Sequence, residues 1–209
     1  MRSIVIVILL PLILIKQGYN EDSISKTSLQ RIYVDDDSQL YIHGTTNINK
    51  FHCRYSEDLP DTITLQVIQD NKHWLSLEQA RFSLKVRQFD CGNKMINKDF
   101  RELLGANQYP ELVIEALGIF NSQYSMPDSL IALESRDSLK AHLKVNIAGR
   151  SNEYMINVSQ DKRNSEIHTG SLKVSIRDFG LTPPTKMLGL MQVSEFVNID
   201  FYLKFRPIN

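Results

Sequence analysis

The sequence predicts an all-β domain with one short helix, and the main reason is a regular alternation of apolar and polar residues. From Leu139 to Ile147 every second residue is apolar, and the residues between them are polar. The same period of two recurs across residues 172–176 and 197–205. This period is typical of strands with one buried and one solvated face. Several such strands separated by turns predict an antiparallel sandwich or barrel.

Strands are predicted along the chain wherever β-branched, aromatic or alternating apolar residues lie between turn residues. These segments are residues 31–34, 40–46, 49–55, 62–69, 81–89, 111–120, 139–148, 154–159, 171–177 and 195–205. The spacing of residues 149–152 indicates a hairpin turn. About eight strands that share one apolar face can close into a barrel with room for a small ligand.

One segment departs from the strand pattern and predicts a helix over residues 97–104. Asn97 is a suitable N-cap, and Phe100, Leu103 and Leu104 follow at helical spacing. Gly105 suits the C-terminal cap. We expect this helix to close one end of the β-domain, with its three apolar side chains facing inward.

The N-terminus, residues 1–18, has the pattern of a secretory signal peptide. Arg2 precedes an apolar run from Ile4 to Ile15, and Lys16 follows it. The run is shorter than the ~20 residues that a spanning helix needs. Because no small-residue cleavage site is visible, an uncleaved membrane anchor stays open as the alternative. Residues 19–30 are polar, and we expect a flexible segment before the domain. This pattern predicts that the protein is secreted.

The charge balance excludes some classes of partner. The chain has 24 basic and 24 acidic side chains. Without Arg2 and Lys16, 22 basic groups face 24 acidic ones. The chain therefore has no excess of positive charge that would indicate binding to nucleic acid. No basic cluster suggests docking to anionic lipid. The sequence leaves a homodimer open and does not identify a membrane partner.

The two cysteines, Cys53 and Cys91, are either a disulfide or two free buried thiols. An even number of cysteines in an exported chain favours the disulfide. Together with His43 and His52 they could be drawn as a zinc site. No His-x-His or Cys-x-x-Cys pair supports that site, so no metal is predicted.

The sequence shows no motif for catalysis or for a cofactor. It has no Gly-x-Ser-x-Gly, Walker loop, His-Glu-x-x-His or dinucleotide fingerprint. The segment from Asp178 to Gly180 matches one kinase tripeptide, but the other kinase elements are absent. No catalytic residue and no cofactor are therefore predicted.

Three segments together resemble one known family. They are GTTNINKFHC at residues 44–53, FDCGNKMINKDFRELLGANQYPEL at residues 89–112 and RDFGLTPPTKMLGL at residues 177–190. Their order and spacing resemble the YceI-like family, the periplasmic polyisoprenoid-binding-like proteins of bacteria. The resemblance covers nearly all of the chain after the signal, and the domain is placed at residues 31–206.

The resemblance implies an extended eight-stranded antiparallel barrel, lipocalin-like in shape, with a helix at one end. It also implies an elongated apolar cavity that holds an isoprenoid or another amphiphilic lipid. The function expected from it is a bacterial, non-enzymatic carrier or sequestering protein for such a lipid. The alternative is a structural or interaction module of the cell envelope whose barrel is filled.

The residues predicted to line the barrel interior share the period-two register of their strands. They are Phe82, Leu84, Val86, Ile114, Ala116, Leu143, Val145, Val174, Ile176, Ile199, Phe201 and Leu203. The same register would serve a lipid cavity or a close-packed core, so the sequence alone leaves both open.

Overall fold

The computed structural model describes residues 26–59, 62–71, 73–121, 139–186 and 190–208. The predicted signal peptide at residues 1–18 and residues 19–25 lie outside these ranges. Within the described ranges, no helix combines the length and the apolar character needed to cross a bilayer.

The described residues form fourteen strands and one α-helix; twelve of the strands form one antiparallel sheet that closes on itself, and the other two form a separate two-stranded sheet. The strands are β1 Lys26–Val34, β2 Gln39–Thr45, β3 Lys50–Tyr55, β4 Thr62–Asn71, β5 Trp74–Glu78, β6 Arg81–Lys85, β7 Phe89–Asp90, β8 Glu111–Asn121, β9 Leu139–Ile147, β10 Arg150–Gln160, β11 Ile167–Ser175, β12 Thr185–Lys186, β13 Met191–Gln192 and β14 Phe196–Ile208. The ring runs β1-β4-β5-β8-β9-β10-β11-β14 and closes through β14 pairing with β1. The predicted eight-stranded barrel is confirmed. Further strands lie outside the ring: β2, β3 and β7 extend the sheet from β14, β6 pairs with β8, and β12 and β13 form the separate two-stranded sheet.

Two features at the start of the barrel differ from the prediction. β1 begins at Lys26, so the last part of the segment expected to be flexible is a strand that pairs with β4. β5 is absent from the predicted strands. Only Leu75 and Leu77 alternate there, and this pattern is too short to identify a strand from sequence. Pairing with β4 on one side and β8 on the other stabilises β5 as a strand.

Two predicted strands end earlier than expected, each in a 3-10 turn. Residues 81–89 are divided into β6, the turn Val86–Gln88 and β7. Residues 171–177 leave the strand at the turn Ile176–Phe179, which ends at Gly180 with φ 71°. The apolar alternation includes the first residue of each turn, Val86 and Ile176, so the pattern does not mark where the strands end.

The barrel wall bends where β8 changes partner. β8 pairs with β6 along its first half and with β5 near its end. Its register against β9 shifts between Ala116 and Gly118, and the Ala116 N–H donates to the carbonyl of Ala80 at 2.8 Å. A bulge of this kind bends a strand and increases its twist. Gly118 is required because a Cβ there would lie 2.6 Å from the ring of Trp74.

β14 joins the ring to the rest of the sheet. On one side it pairs with β11 from Phe196 to Lys204. On the other side it pairs first with β2 and then, from Phe205, with β1. The change of partner falls at Lys204, whose Nζ lies 3.0 Å from Asp35. The backbone of Lys204 also accepts from the N–H of Asp35 at 2.8 Å. The hydrogen bond to Asp35 raises the pKa of Lys204.

The helix, α1, spans Lys94–Leu103 and begins three residues before the predicted start. The side chain of Asn93 accepts from the N–H of Met95 at 2.8 Å, so Asn93 is the N-cap and the prediction of Asn97 is wrong. Asn97 instead accepts from the N–H of Cys91 at 2.6 Å and donates to Asp90 at 2.9 Å. Its side chain therefore ties the helix to the preceding loop.

The inward face of α1 is only partly the one predicted. Phe100 packs against Phe89 with ring centroids 5.4 Å apart, and Leu104 is buried. Leu103 is partly exposed, and Ile96 packs against the core in its place. Residues 96, 100 and 104 follow a spacing of four, which places them on one side of the helix.

Cys53 and Cys91 form the predicted disulfide. Strands β3 and β7 pair at Arg54 with Asp90 and at Tyr55 with Phe89, so the two cysteines extend this register by one step. Both are buried, and both belong to the main core cluster with Phe89 and Leu104. The bond thus fastens the start of the α1 loop to the sheet.

Replacing both cysteines by alanine should lower the free energy of unfolding. The bond closes a separation of 38 residues, for which the chain-entropy model gives about 4 kcal/mol as an upper value. Equilibrium urea unfolding of wild type and Cys53→Ala/Cys91→Ala measures the difference, and thiol titration of the denatured, unreduced wild type should find no free thiol. Two titratable thiols, or equal free energies of unfolding, would contradict the assignment.

Candidate functional site

The interior of the barrel is divided into a packed half and a hollow half. The packed half is the part of the main buried cluster that does not line the cavity, and it continues onto α1 and the disulfide. Its members include Ile42, Tyr55, Val86, Phe89, Leu112, Val145, Ile147, Leu172, Val174 and Ile199. The hollow half contains a cavity of about 170 Å³.

The lining of the cavity is almost entirely apolar. It comprises Ile32, Val34, Leu40, Leu59, Ile63, Leu65, Leu77, Ala80, Phe82, Leu84, Ile114, Ala116, Ile119, Leu139, Ala141, Leu143, Val158, His168, Phe201, Leu203 and Phe205. Each strand of the ring contributes to it, because each turns every second side chain inward. Among these residues His168 alone has a polar side chain.

The boundary between the two halves falls at a consistent level along the strands. On β9, Ala141 and Leu143 line the cavity, whereas Val145 and Ile147 belong to the packed half. On β6 the last residue that lines the cavity is Leu84. The next inward residue along the chain, Val86, is buried in the packed half. The 3-10 turns and α1 lie on the packed side, so they fill that end of the barrel.

The structure divides the twelve predicted interior residues between these two halves. Seven line the cavity: Phe82, Leu84, Ile114, Ala116, Leu143, Phe201 and Leu203. The remaining five are Val86, Val145, Val174, Ile176 and Ile199, which are buried but do not line it. These five lie in the half that side chains from the turns and from α1 fill, and the prediction that they belong to one continuous apolar interior that accepts a lipid tail stays a prediction.

Several lining residues were missing from the predicted set, and for some of them the sequence contained a signal. Leu139 and Ala141 continue the alternation of Leu143 along β9. Phe205 continues that of Phe201 and Leu203. On β4 the lining residues Ile63 and Leu65 likewise alternate with polar neighbours, and on β1 Ile32 and Val34 are two residues apart.

His168 shares the register of the apolar residues on its strand, a signal that sequence reasoning did not use. It stands four residues before Leu172 and six before Val174, so all three fall on the same face of the strand. Gly170 lies between His168 and Leu172. Its side chain is 8% exposed. In the sheet it pairs with Leu203 of β14 and Gln160 of β10. A strand that places apolar side chains inward therefore places this imidazole inward as well.

The imidazole of His168 is held by two contacts. Its Nδ1 lies 3.1 Å from the carbonyl oxygen of Glu166, and its ring stacks on Phe205 with centroids 4.2 Å apart. A carbonyl can only accept, so Nδ1 carries the hydrogen. Burial lowers the pKa of His168, because the apolar surroundings disfavour the charged ring, and the carbonyl of Glu166 opposes this only in part.

Gly170 makes room for one of the aromatic rings of the lining. It pairs with Phe201, and a Cβ at this position would lie 2.3 Å from the Phe201 ring. The ring therefore lies over the backbone of β11 beside His168. This close approach explains why a residue without a side chain interrupts the apolar register.

The histidines considered for zinc lie elsewhere. His43 on β2 has its Nε2 3.2 Å from Asp200, and His52 neighbours it on the same sheet surface with ring centroids 6.0 Å apart. The sulfur atoms of Cys53 and Cys91 are bonded to each other. In the part of the chain that the structure describes, no three His, Cys, Asp or Glu side chains are grouped to hold a metal ion.

Fold and site together define a closed antiparallel barrel with an apolar internal pocket at one end. A model of the YceI-like domain matches residues 61–205, well over half of the chain. The chain belongs to the YceI-like family.

Two solved structures of similar fold cover most of the chain. BcnA from Burkholderia cenocepacia has a TM-score of 0.57 at 16% identity, covering 83% of this chain and 99% of BcnA. A polyisoprenoid binding domain from Saccharophagus degradans, implicated in plant cell wall breakdown, has a TM-score of 0.51 at 12% identity, covering 87% of this chain and 100% of that domain. At such identities the likeness shows the fold. No curated protein sequence matches the chain.

The stability of the protein should fall between neutral and mildly acidic pH because of His168. The pKa of this histidine is lowered in the folded state, so below about pH 6.5, the ordinary value, the unfolded chain takes up a proton that the folded chain does not. The free energy of unfolding then decreases as the pH falls towards the folded-state pKa. The total loss is about 1.4 kcal/mol for each pH unit that separates the folded-state pKa from the unfolded-state pKa.

Urea unfolding at several values between pH 7.5 and pH 5 tests this for wild type and His168→Phe. The variant should lose less free energy of unfolding than wild type over the same interval. Parallel curves for the two proteins would show that His168 does not titrate differently in the folded and unfolded states.

Proposed function

We propose that this protein is a non-enzymatic carrier or sequestering protein for an isoprenoid or similar amphiphilic lipid, and that the apolar tail of the lipid lies in the hollow half of the barrel. The observation that carries the proposal is the cavity itself: its described lining is apolar except for His168. An apolar tail gains ~0.8 kcal/mol for each CH2 that leaves water. The binding domain of similar fold from Saccharophagus degradans supports the same ligand class.

The size of the cavity limits what can bind without rearrangement. A volume of about 170 Å³ is close to that of an engineered cavity of roughly 150 Å³ that binds benzene. It therefore accepts about one five-carbon isoprene unit. A longer tail requires lining side chains to move apart, and the partly buried rings of Phe82, Phe201 and Phe205 are the large groups available to do so.

The periplasmic or secreted location belongs to the same proposal. It is supported by the signal-like N-terminal pattern and by the disulfide, since disulfides persist in oxidising compartments. A protein in that space has no membrane environment for a lipid tail, so an internal apolar cavity would supply one.

Ala116→Trp should block the uptake of a lipid while leaving the barrel folded. Ala116 lines the cavity at the bend of β8, and an indole there would occupy the space that the tail needs. We expect binding of a fluorescent isoprenoid analogue to weaken at least about tenfold and the thermal midpoint to stay near that of wild type. Lys140→Trp is the matched control, because Lys140 is exposed on β9 next to the lining residue Ala141.

The opposite result would identify the filled-barrel interaction module. In that case wild type binds no analogue, and the indole overpacks the interior at a cost of about 1–3 kcal/mol. Native mass spectrometry of the protein purified from its own host complements the titration, since a carrier should retain an extractable lipid.

A further inference from the structure

The described lining of the cavity contains one polar side chain, and its state is defined by its partners. With Nδ1 of His168 donating to the carbonyl of Glu166, the neutral ring has a lone pair on Nε2 that can only accept a hydrogen bond. Nε2 lies at the end of the ring away from Cβ, and the side chain lines the cavity. Phe205 covers one face of the ring and leaves its outer edge free of that contact.

Nothing in the described part of the chain donates a hydrogen bond to Nε2. The residue opposite on β14 is Leu203, and the residue two positions along β11 is Gly170. The residue opposite on β10 is Gln160, whose Nε2 donates to the carbonyl of Ser165 at 2.6 Å. Lys204, which follows Leu203 on β14, falls on the other face of that strand, where its Nζ lies 3.0 Å from Asp35.

Nε2 is not among the fully enclosed unpaired polar atoms of the described residues, so it borders the open space of the cavity, where a donor can reach it. A buried polar group without a hydrogen bond destabilises the folded state, and apolar surroundings increase the penalty. An apolar side chain at residue 168 would avoid it, as at Leu172 and Val174 on the same strand. A ligand that carries its own donor into the cavity would satisfy the imidazole.

We infer that His168 is the polar contact for the lipid: its Nε2 accepts a hydrogen bond from an uncharged hydroxyl of the ligand, which selects neutral isoprenoid-type alcohols over their phosphates. This assignment rests on the proposed lipid-binding function and adds the chemical class of the headgroup. A phosphate group would be buried among apolar residues with no cation in the described lining to pair with it. It would also present an oxygen acceptor to a nitrogen acceptor. A hydroxyl has neither disadvantage.

Three probes with the same chain separate these possibilities: farnesol, its methyl ether and farnesyl phosphate. The ether keeps the chain and the oxygen but has no donor. At pH 7.5 the wild type should bind farnesol about tenfold more tightly than the ether, which corresponds to one hydrogen bond. Farnesyl phosphate should bind more weakly than farnesol. In His168→Phe the preference for the alcohol over the ether should fall to about one, whereas binding of the ether itself should persist.

His168→Gln is the companion variant, because its amide oxygen can accept from the same hydroxyl. It should regain part of the preference that His168→Phe loses. The nitrogen NMR signal of Nε2 gives a readout that does not depend on affinity, and in wild type it should shift on adding farnesol but not on adding the ether.

The outcomes distinguish this assignment from the function on which it rests. Failure of wild type to bind any of the three probes would overturn the lipid-binding function itself. Equal binding of alcohol and ether, or tighter binding of the phosphate, would leave lipid binding in place and overturn the role of His168. If His168→Phe does not fold, the affinities of wild type for the three probes and its Nε2 NMR signal still test the role of His168.

Discussion

The closure of the sheet by β14 is the constraint on which the rest of the structure depends. This strand hydrogen-bonds to β11 along one edge, and along the other edge it passes from β2 to β1 at Lys204. The turn between β1 and β2 holds that point, since Lys204 contacts Asp35 through both its backbone and its ammonium group. Without this closure β1 would be an edge strand, and Ile32 and Val34 would lose the interior that they line.

Closure alone does not produce a cavity, because a ring of eight strands has an interior that side chains can just fill. What leaves space here is the unequal filling of the two ends. At one end the 3-10 turns, the disulfide and α1 bring additional apolar groups, such as Phe89 and Phe179, into the interior. At the other end small residues occur among the large ones, including Ala80, Ala116 and Ala141. The packed half therefore closes one end of the hollow half and forms its floor.

The sequence predicted only part of this arrangement, because a period of two contains only one kind of information. It identifies which face of a strand is buried, so the all-β class, the barrel and the inward residues of β9 and β14 were predictable. It contains nothing about the level of a residue along the barrel axis. Leu143 and Val145 are therefore indistinguishable by pattern, although only the first lines the cavity. The level is decided by what packs from outside the strand, and those contacts are long-range.

Other differences have local causes that sequence patterns describe ambiguously. Asn93 and Asn97 are both good caps, and the choice between them depends on the contacts of Asn97 with Cys91 and Asp90. His168 was overlooked as an inward residue because a histidine interrupts an apolar count. Its register with Leu172 was nevertheless visible, and it identifies the single polar side chain of the described cavity lining. A polar residue in phase with an apolar face is thus a candidate for part of a binding site.

Photo-crosslinking with an isoprenoid alcohol that carries a diazirine at the end of its tail tests the central claim most directly. If the tail enters the hollow half and stops at its floor, the label should map to residues at the boundary between the halves, among them Leu84, Ile114 and Leu143. Unlabelled alcohol should compete with the labelling. A label confined to exposed apolar residues such as Met155 and Phe196, with no interior labelling, would contradict the account.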